Sequence, residues 1–231
     1  MTLIRSIFNQ KSILGYIIMT TEAKVIELEE VAIRFSGDSG DGMQHTGTLF
    51  SDATALIGND ISTFPDYPSE IRAPQGTVGG VSGFQVHFGT KKINTPGDKA
   101  HVLVAMNPAA IKANAKYLMP AATIIYDADS FTERNLAKAK FQTNDPFAEL
   151  NLEDYNKIAV PITSMTKEAL IDFTMDNKDV LRSKNMFALG LVSWMFNRPL
   201  DVIEEALKAK FGKKQQIYDS NISVLHAGYN Y

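Results

Sequence analysis

Six consecutive positions, Gly37-Asp38-Ser39-Gly40-Asp41-Gly42, bring three glycines and two carboxylates into one turn. Glycines admit backbone conformations that side chains forbid. A glycine turn that opens a helix is also a ready place for an anion, because free N–H groups and the helix dipole point at it. Met43 and Gln44 then begin the helix. Asp38 and Asp41 work against that chemistry, since two carboxylates compete with a bound phosphate. The turn therefore has two readings. Residues Gly37 to Gln44 form a ligand-contacting loop, or Ser39 or Asp41 caps the helix while the glycines let the strand pack closely. The spacing is G-x-x-G-x-G and not G-x-G-x-x-G, so it is a poor dinucleotide fingerprint.

A second candidate is Glu70 and Arg72 in the stretch DYPSEIRAP. In an extended backbone, residues two apart point to the same side, so the two side chains can pair. A surface ion pair of Arg72 with Glu70 or Asp66 would contribute only about 0–1 kcal/mol. Asp127 and Asp129 end an apolar run. Acids there can meet a metal or a ribose, but more often cap a helix, here with Asp129 or Ser130 ahead of Phe131–Lys140. The four histidines, at 45, 87, 101 and 226, have no metal-ligand spacing. His87 falls on the polar side of an alternating strand, where solvent is the usual neighbour. There is no G-x-S-x-G elbow, phosphate-binding G-x-x-x-x-G-K-[ST] loop, His-Glu-x-x-His or EF-hand loop. No catalytic residue and no metal ligand is assigned.

These candidates need elements to hold them. Val31, Ile33 and Phe35 alternate with Ala32 and Arg34, which predicts a strand running into the glycine turn. Met43, Thr46, Phe50, Ala53 and Ile57 recur at helical spacing up to Gly58. A second strand is expected over Asp60–Phe64, broken by Pro65 to Pro68, and a glycine-rich, mobile stretch over Gln75–Gly80. Further strands are expected over Val81–Thr90, His101–Met106, Thr123–Tyr126 and Ile158–Ile162. Pro108 suits the first turn of a helix to Leu118. From Val180 onward the pattern is helical, with breaks at Asn197-Arg198-Pro199 and Gly212. Alternating strands and helices predict an α/β fold, Rossmann-like, with a mostly parallel sheet, helices on both faces and a helical C-terminal segment.

Composition narrows the function. Hydrophobic residues make up 45% and charged residues 21% of the 231 positions, as in ordinary globular proteins. The net charge of -3, without a basic run, argues against nucleic acid as the partner. The chain has no cysteine, which removes disulfides, thiolate zinc and iron–sulfur ligation from it and fits a cytoplasmic setting. Residues 1–23 read as an N-terminal extension, with translation expected to start at Met19 and residues 1–18 expected to have no fold role. The apolar piece Ile13–Met19 is too short to span a membrane. Residues 24–231 read as one domain.

Two blocks carry a resemblance. SGDSGDGMQ after the first strand, followed by FPDYPSEIRAPQGTVGGVSGFQVHFG, resembles the gamma domain of 2-oxoacid:ferredoxin oxidoreductases. The form it is most similar to is the one fused to the front of the alpha subunit in the 2-oxoglutarate type. KNMFALG, Lys184 to Gly190, resembles the N-M-x-x-L-G helix of the same domain. The match departs from the separate gamma subunits in two places: Ser39 and Asp41 replace a glycine and a glutamine, and Ala73-Pro74 replace a glycine pair. The resemblance implies a whole enzyme that uses thiamine diphosphate, Mg, iron–sulfur clusters and coenzyme A to convert a 2-oxoacid to an acyl-CoA, with ferredoxin as acceptor. It implies alpha-type and beta-type catalytic domains as partners. No cofactor is expected in this chain, which serves assembly and part of the coenzyme A approach. Glu70 and Arg72 are then a contact to coenzyme A or a partner. The alternative is a free-standing nucleotide-binding or assembly module without an enzymatic partner.

Overall fold

The computed structural model describes residues 2–6, 24–70 and 72–231. Two short strands, β1 (Thr2–Ser6) and β2 (Lys24–Leu28), pair antiparallel in a separate ribbon. Part of the N-terminal extension thus has a backbone partner, within a ribbon separate from the main sheet. Met19 lies outside the described residues.

Six strands form the main sheet: β3 (Glu30–Asp38), β4 (Asp60–Asp66), β5 (Val81–Gly89), β6 (Ala100–Ala105), β7 (Leu118–Asp127) and β8 (Asn156–Val160), in the order β4-β5-β3-β6-β7-β8. The pairs β3–β6, β6–β7 and β7–β8 are parallel. The other half departs from the parallel expectation, because β5 runs antiparallel to both β3 and β4. Pro65 does not end β4, which continues to Asp66. As an edge strand, β4 tolerates a residue without an N–H.

Helices cover both faces. Along β6, Val102 and Val104 join the larger core cluster, whereas Leu103 and Ala105 join the smaller one on the opposite face. This is the two-residue period of a strand buried on both sides. The larger cluster is closed by α1 (Met43–Leu56), α5 (Ile162–Ala169), α7 (Lys184–Met195), α8 (Asp201–Phe211) and α9 (Gln215–Asn230). Its centre is a set of edge-to-face rings, with Phe50 5.7 Å from Phe35, 5.5 Å from Phe88 and 5.8 Å from Phe196. Truncating a ring as buried as Phe50 costs about 3–5 kcal/mol. The smaller cluster lies under α2 (Pro108–Asn114), with α3 (Glu133–Lys138) and the short α4 (Pro146–Glu149) beside it. Asn107 caps α2 by accepting from the Ala110 N–H at 2.9 Å, with Pro108 in its first turn. A further short helix, α6 (Asn177–Arg182), precedes α7.

The α7–α9 contact has no room for side chains. A Cβ on Gly190 would stand 2.0 Å from the Leu225 carbonyl oxygen, and a Cβ on Gly228 2.0 Å from that of Phe187. The two glycines thus bring the backbones of α7 and α9 together.

Candidate functional site at the switch point

The chain leaves β3 for α1 on one face and leaves the adjacent, parallel β6 for α2 on the other. In open α/β sheets the crevice at such a reversal, beyond the carboxyl ends of the strands, is where ligands bind. Here it holds a cavity of about 650 Å3. Asp38, Gly40 and Asp41 come from the glycine turn, and Gln75 and Gly76 from the following loop. Met106 and Asn107 follow β6, Ser130 follows β7, and Asn135 and Lys138 lie on α3. Asn177, Lys178, Leu181 and Arg182 come from α6, and Lys184 opens α7.

The glycine turn is built differently from either capping expectation. The residue before α1 is Gly42, with φ 73° and no side-chain cap. A Cβ there would also lie 2.5 Å from Asn185 Nδ2. Gly40, in contrast, is exposed, and its nearest neighbour to an added Cβ is Gln75 Nε2 at 3.8 Å. Ser39 is exposed and donates its backbone N–H to the Gly80 carbonyl at 3.2 Å. Asp41 turns back inside the turn, accepting the Asp38 N–H at 2.9 Å. Asp38 reaches out instead, and both its carboxylate oxygens accept the Gly76 N–H at 3.0 Å. Gly37 packs against Met106, and Met43 is buried in the larger core cluster. Gln44 faces away from the cavity and donates to the carbonyls of Asp66 at 3.1 Å and Gly83 at 2.7 Å.

Two of these hydrogen bonds, Gly76 to Asp38 and Ser39 to Gly80, bind the loop 67–80 onto the turn. The stretch Gln75–Gly80 is therefore held, and Val78–Gly80 closes as a 3-10 turn. The two sequence blocks are brought together in this way. Glu70 and Arg72 lie on the same loop but do not line the cavity. The segment is not extended, since Arg72 has φ 59°. Among the described residues Arg72 makes no ion pair with Glu70 or Asp66; Asp66 pairs with Arg34 instead. Glu70 packs its carboxylate against Gly79.

Electrostatics at the cavity are mixed. Burial pushes the carboxyls of both Asp38 and Asp41 up, opposed in both by Lys184. Asp127, fully buried at the end of β7, accepts from Ser130 Oγ at 2.7 Å and Thr163 Oγ1 at 2.6 Å, and its carboxylate is 3.5 Å from Lys184 Nζ. These bonds use Asp127 internally and leave nothing for a metal or ribose. Asp129 accepts the Ser164 N–H at 2.7 Å, and the cap of α3 is Thr132, not Asp129 or Ser130. His87 hydrogen-bonds the Thr95 carbonyl at 2.8 Å. No group of three His, Cys, Asp or Glu able to hold a metal occurs among the described residues. Arg182 pairs with Asp179 at 3.0 Å, whereas Lys138 and Lys178 make no ion pair among the described residues. The cavity can thus offer two ammonium groups outside any ion pair among the described residues, of which Lys138 acts on Asp38, together with carboxamides and two carboxyls pushed up by burial.

The chain also matches known proteins. The family model for pyruvate ferredoxin/flavodoxin oxidoreductase matches residues 32–231. The chain belongs to this family. It is 49% identical over 204 residues to the 2-oxoglutarate oxidoreductase subunit KorA of Mycobacterium tuberculosis, covering 88% of this chain and 31% of that subunit. It is 25% identical over 205 residues to the ketoisovalerate oxidoreductase subunit VorA of Methanothermobacter marburgensis, covering 87% and 36%. The chain thus spans about a third of the length of these curated relatives. A solved structure of the 2-oxoglutarate:ferredoxin oxidoreductase from Magnetococcus marinus, with 2-oxoglutarate, coenzyme A and succinyl-CoA bound, superposes with TM-score 0.67 at 26% identity over 88% of this chain and 31% of that one. The gamma subunit of a keto/oxoacid ferredoxin oxidoreductase from Geobacter sulfurreducens shares the fold, with TM-score 0.59 at 18% identity, and is covered over 95% of its length.

The sequence reading singled out the glycine turn, and the fold brings Lys138, Lys178 and Asn107, which it did not single out, to the same cavity. Lys184 stood in the KNMFALG block without an assigned role. Nothing local marks Lys138 or Lys178; only the fold brings α3 and α6 to the same opening.

Proposed function

We propose that this chain is the gamma-type domain of a thiamine-diphosphate-dependent 2-oxoacid:ferredoxin oxidoreductase of the 2-oxoglutarate type, fused to the front of an alpha-type subunit. The whole enzyme decarboxylates the 2-oxoacid oxidatively, forms the acyl-CoA and passes electrons to ferredoxin. Thiamine diphosphate and Mg belong between alpha-type and beta-type domains. The absence of cysteine places the thiolate ligands of any iron–sulfur cluster outside this sequence. A cytoplasmic location accompanies this reading, and no helix among the described residues is long and apolar enough to cross a membrane.

The observation that carries the reading is the cavity at the switch point, with Lys138 and Lys178 turned to it and free of ion pairs among the described residues. It suits a phosphate group of coenzyme A. Ammonium groups serve as point charges for phosphate. Arg72, exposed on the loop bound to the turn and outside the cavity lining, offers a guanidinium for a phosphate or for a carboxylate of the catalytic domains.

The test is co-expression with the alpha-type and beta-type parts and an assay of 2-oxoglutarate-dependent dye reduction. Lys138→Ala and Lys178→Ala should raise the KM for coenzyme A by about tenfold each, the loss of one charged hydrogen bond, and leave kcat unchanged. Arg72→Ala should lose about 1.5–3 kcal/mol in coenzyme A affinity or in assembly, with Arg72→Lys recovering part of it. The purified chain alone should turn over no 2-oxoacid. Unchanged KM in both lysine variants would remove the cavity from the coenzyme A path.

A further inference from the structure

A second cavity, of about 630 Å3, lies by the C-terminal end of α2 and shares no lining residue with the first. Its wall contains an expensive arrangement. Arg34 lies in the central strand β3, only 4% exposed, where an aliphatic side chain would cost less. Its guanidinium is held by Asn114 and Asp66, reaches Gln85 Oε1 at 3.3 Å and lies 5.0 Å from the centre of the Tyr117 ring. The result is a carboxylate fixed at the cavity wall. Asp66 gives one oxygen to Arg34, its side chain is 43% exposed, and its other oxygen has no partner among the described residues. Tyr67, 70% exposed, and Ser69 follow on the loop, with Lys116 across the opening. Leu150, Leu152 and Val81 supply apolar floor.

We infer that this cavity binds a purine nucleotide. The base lies against the free ring of Tyr67, because aromatic rings stack on any base face. Asp66 accepts from ribose hydroxyls or an exocyclic amine, as a fixed acid does in nucleotide sites. The phosphate meets Lys116, whose ammonium rests 4.8 Å from the Tyr117 ring and makes no ion pair among the described residues. Lys112 is unavailable, since it is taken by Glu149 at 3.4 Å and the Lys140 carbonyl at 2.5 Å. The costly Arg34 is explained by this role: it fixes the Asp66 carboxylate at the cavity wall rather than contributing to the core.

The experiment titrates adenosine 5′-monophosphate into the 231-residue chain by calorimetry. Saturable binding is expected, weakened at least about fivefold by Tyr67→Ala and by Lys116→Ala, the loss of one stacked ring or one phosphate contact. Both side chains are exposed, so circular dichroism should stay the same, and Lys208→Ala on the exposed side of α8 should bind as the parent does. Coenzyme A in competition distinguishes two sources of the same chemistry. Displacement identifies the nucleotide end of the coenzyme as occupant, and no displacement identifies a free purine nucleotide. Absence of saturable binding at millimolar nucleotide, or binding that both variants leave intact, overturns the inference. Either result leaves the coenzyme A assay of Lys138 and Lys178 untouched.

Discussion

Both carboxylate oxygens of Asp38 accept the backbone N–H of Gly76 at 3.0 Å, which ties the turn after β3 to the loop that carries Arg72. A hydrogen bond to a charged group contributes about 1.5–3 kcal/mol. Asp38→Ala is expected to lose that much locally more than globally. Amide exchange over residues 72–80 should accelerate by one to two orders of magnitude, about what that energy allows, while the β6 and β7 amides hardly change. Unchanged exchange in the loop would show that the Ser39–Gly80 bond holds it without help.

Gly42 and Gly40 separate two meanings of glycine. At Gly42 an alanine would need a left-handed backbone and would press on Asn185, so a loss of about 1–3 kcal/mol is expected in urea unfolding. At Gly40 nothing crowds the added methyl, and the change should stay within about 0.5 kcal/mol. Equal losses at both would contradict the turn geometry.

The acid limb of stability should contain two opposed slopes. Burial pushes Asp41 above the ordinary 3.8, so the folded chain holds its proton more tightly and stability falls as pH rises through the window above 3.8. His45 acts in the other sense. Burial, and then Lys210, lower it from 6.5 to about 4, so the unfolded chain takes up the proton first and stability falls as pH drops through that window. Urea midpoints between about pH 4 and pH 7 should lose the first slope in Asp41→Asn and the second in His45→Gln. A parent-like profile in either variant would assign that slope to another group.

Removing residues 1–18 takes away β1 and leaves all pairings of the six-stranded sheet in place. The melting temperature of a chain beginning at Met19 should therefore fall by no more than about 2–4 °C, roughly 1 kcal/mol for a chain of this size. A larger drop would make the ribbon part of the domain.

The sequence was most informative where one residue pattern had one structural outcome. The apolar run expected as a strand over His101–Met106 became the strand Ala100–Ala105, buried on both faces, and Pro108 after Asn107 became a capped helix start. It misled where the partner was remote. Arg34 alternates with apolar neighbours, and nothing local shows that it is buried where Asn114, Gln85 and Asp66 converge on it from three other elements. The alternation in β5 says which residues face inward but nothing about strand direction, so its antiparallel course was not readable. The glycine turn was located correctly, but its helix cap is a backbone conformation at Gly42, and no side-chain rule reports that. Lys138 and Lys178 are charged residues on short helices, indistinguishable in sequence from solvated ones.

Gly190 and Gly228 have a consequence for how this chain can vary over time. Each stands 2.0 Å, measured from an added Cβ, from a carbonyl of the other helix. No side chain moves aside to make room, because the obstacle is backbone on both sides. Neither position can drift even to alanine without parting the helices, and parting them would carry Lys184 away from Asp127 and the cavity. The seam therefore admits no side chain at either position, and α7, buried on nearly every face, leaves little room beside it for change.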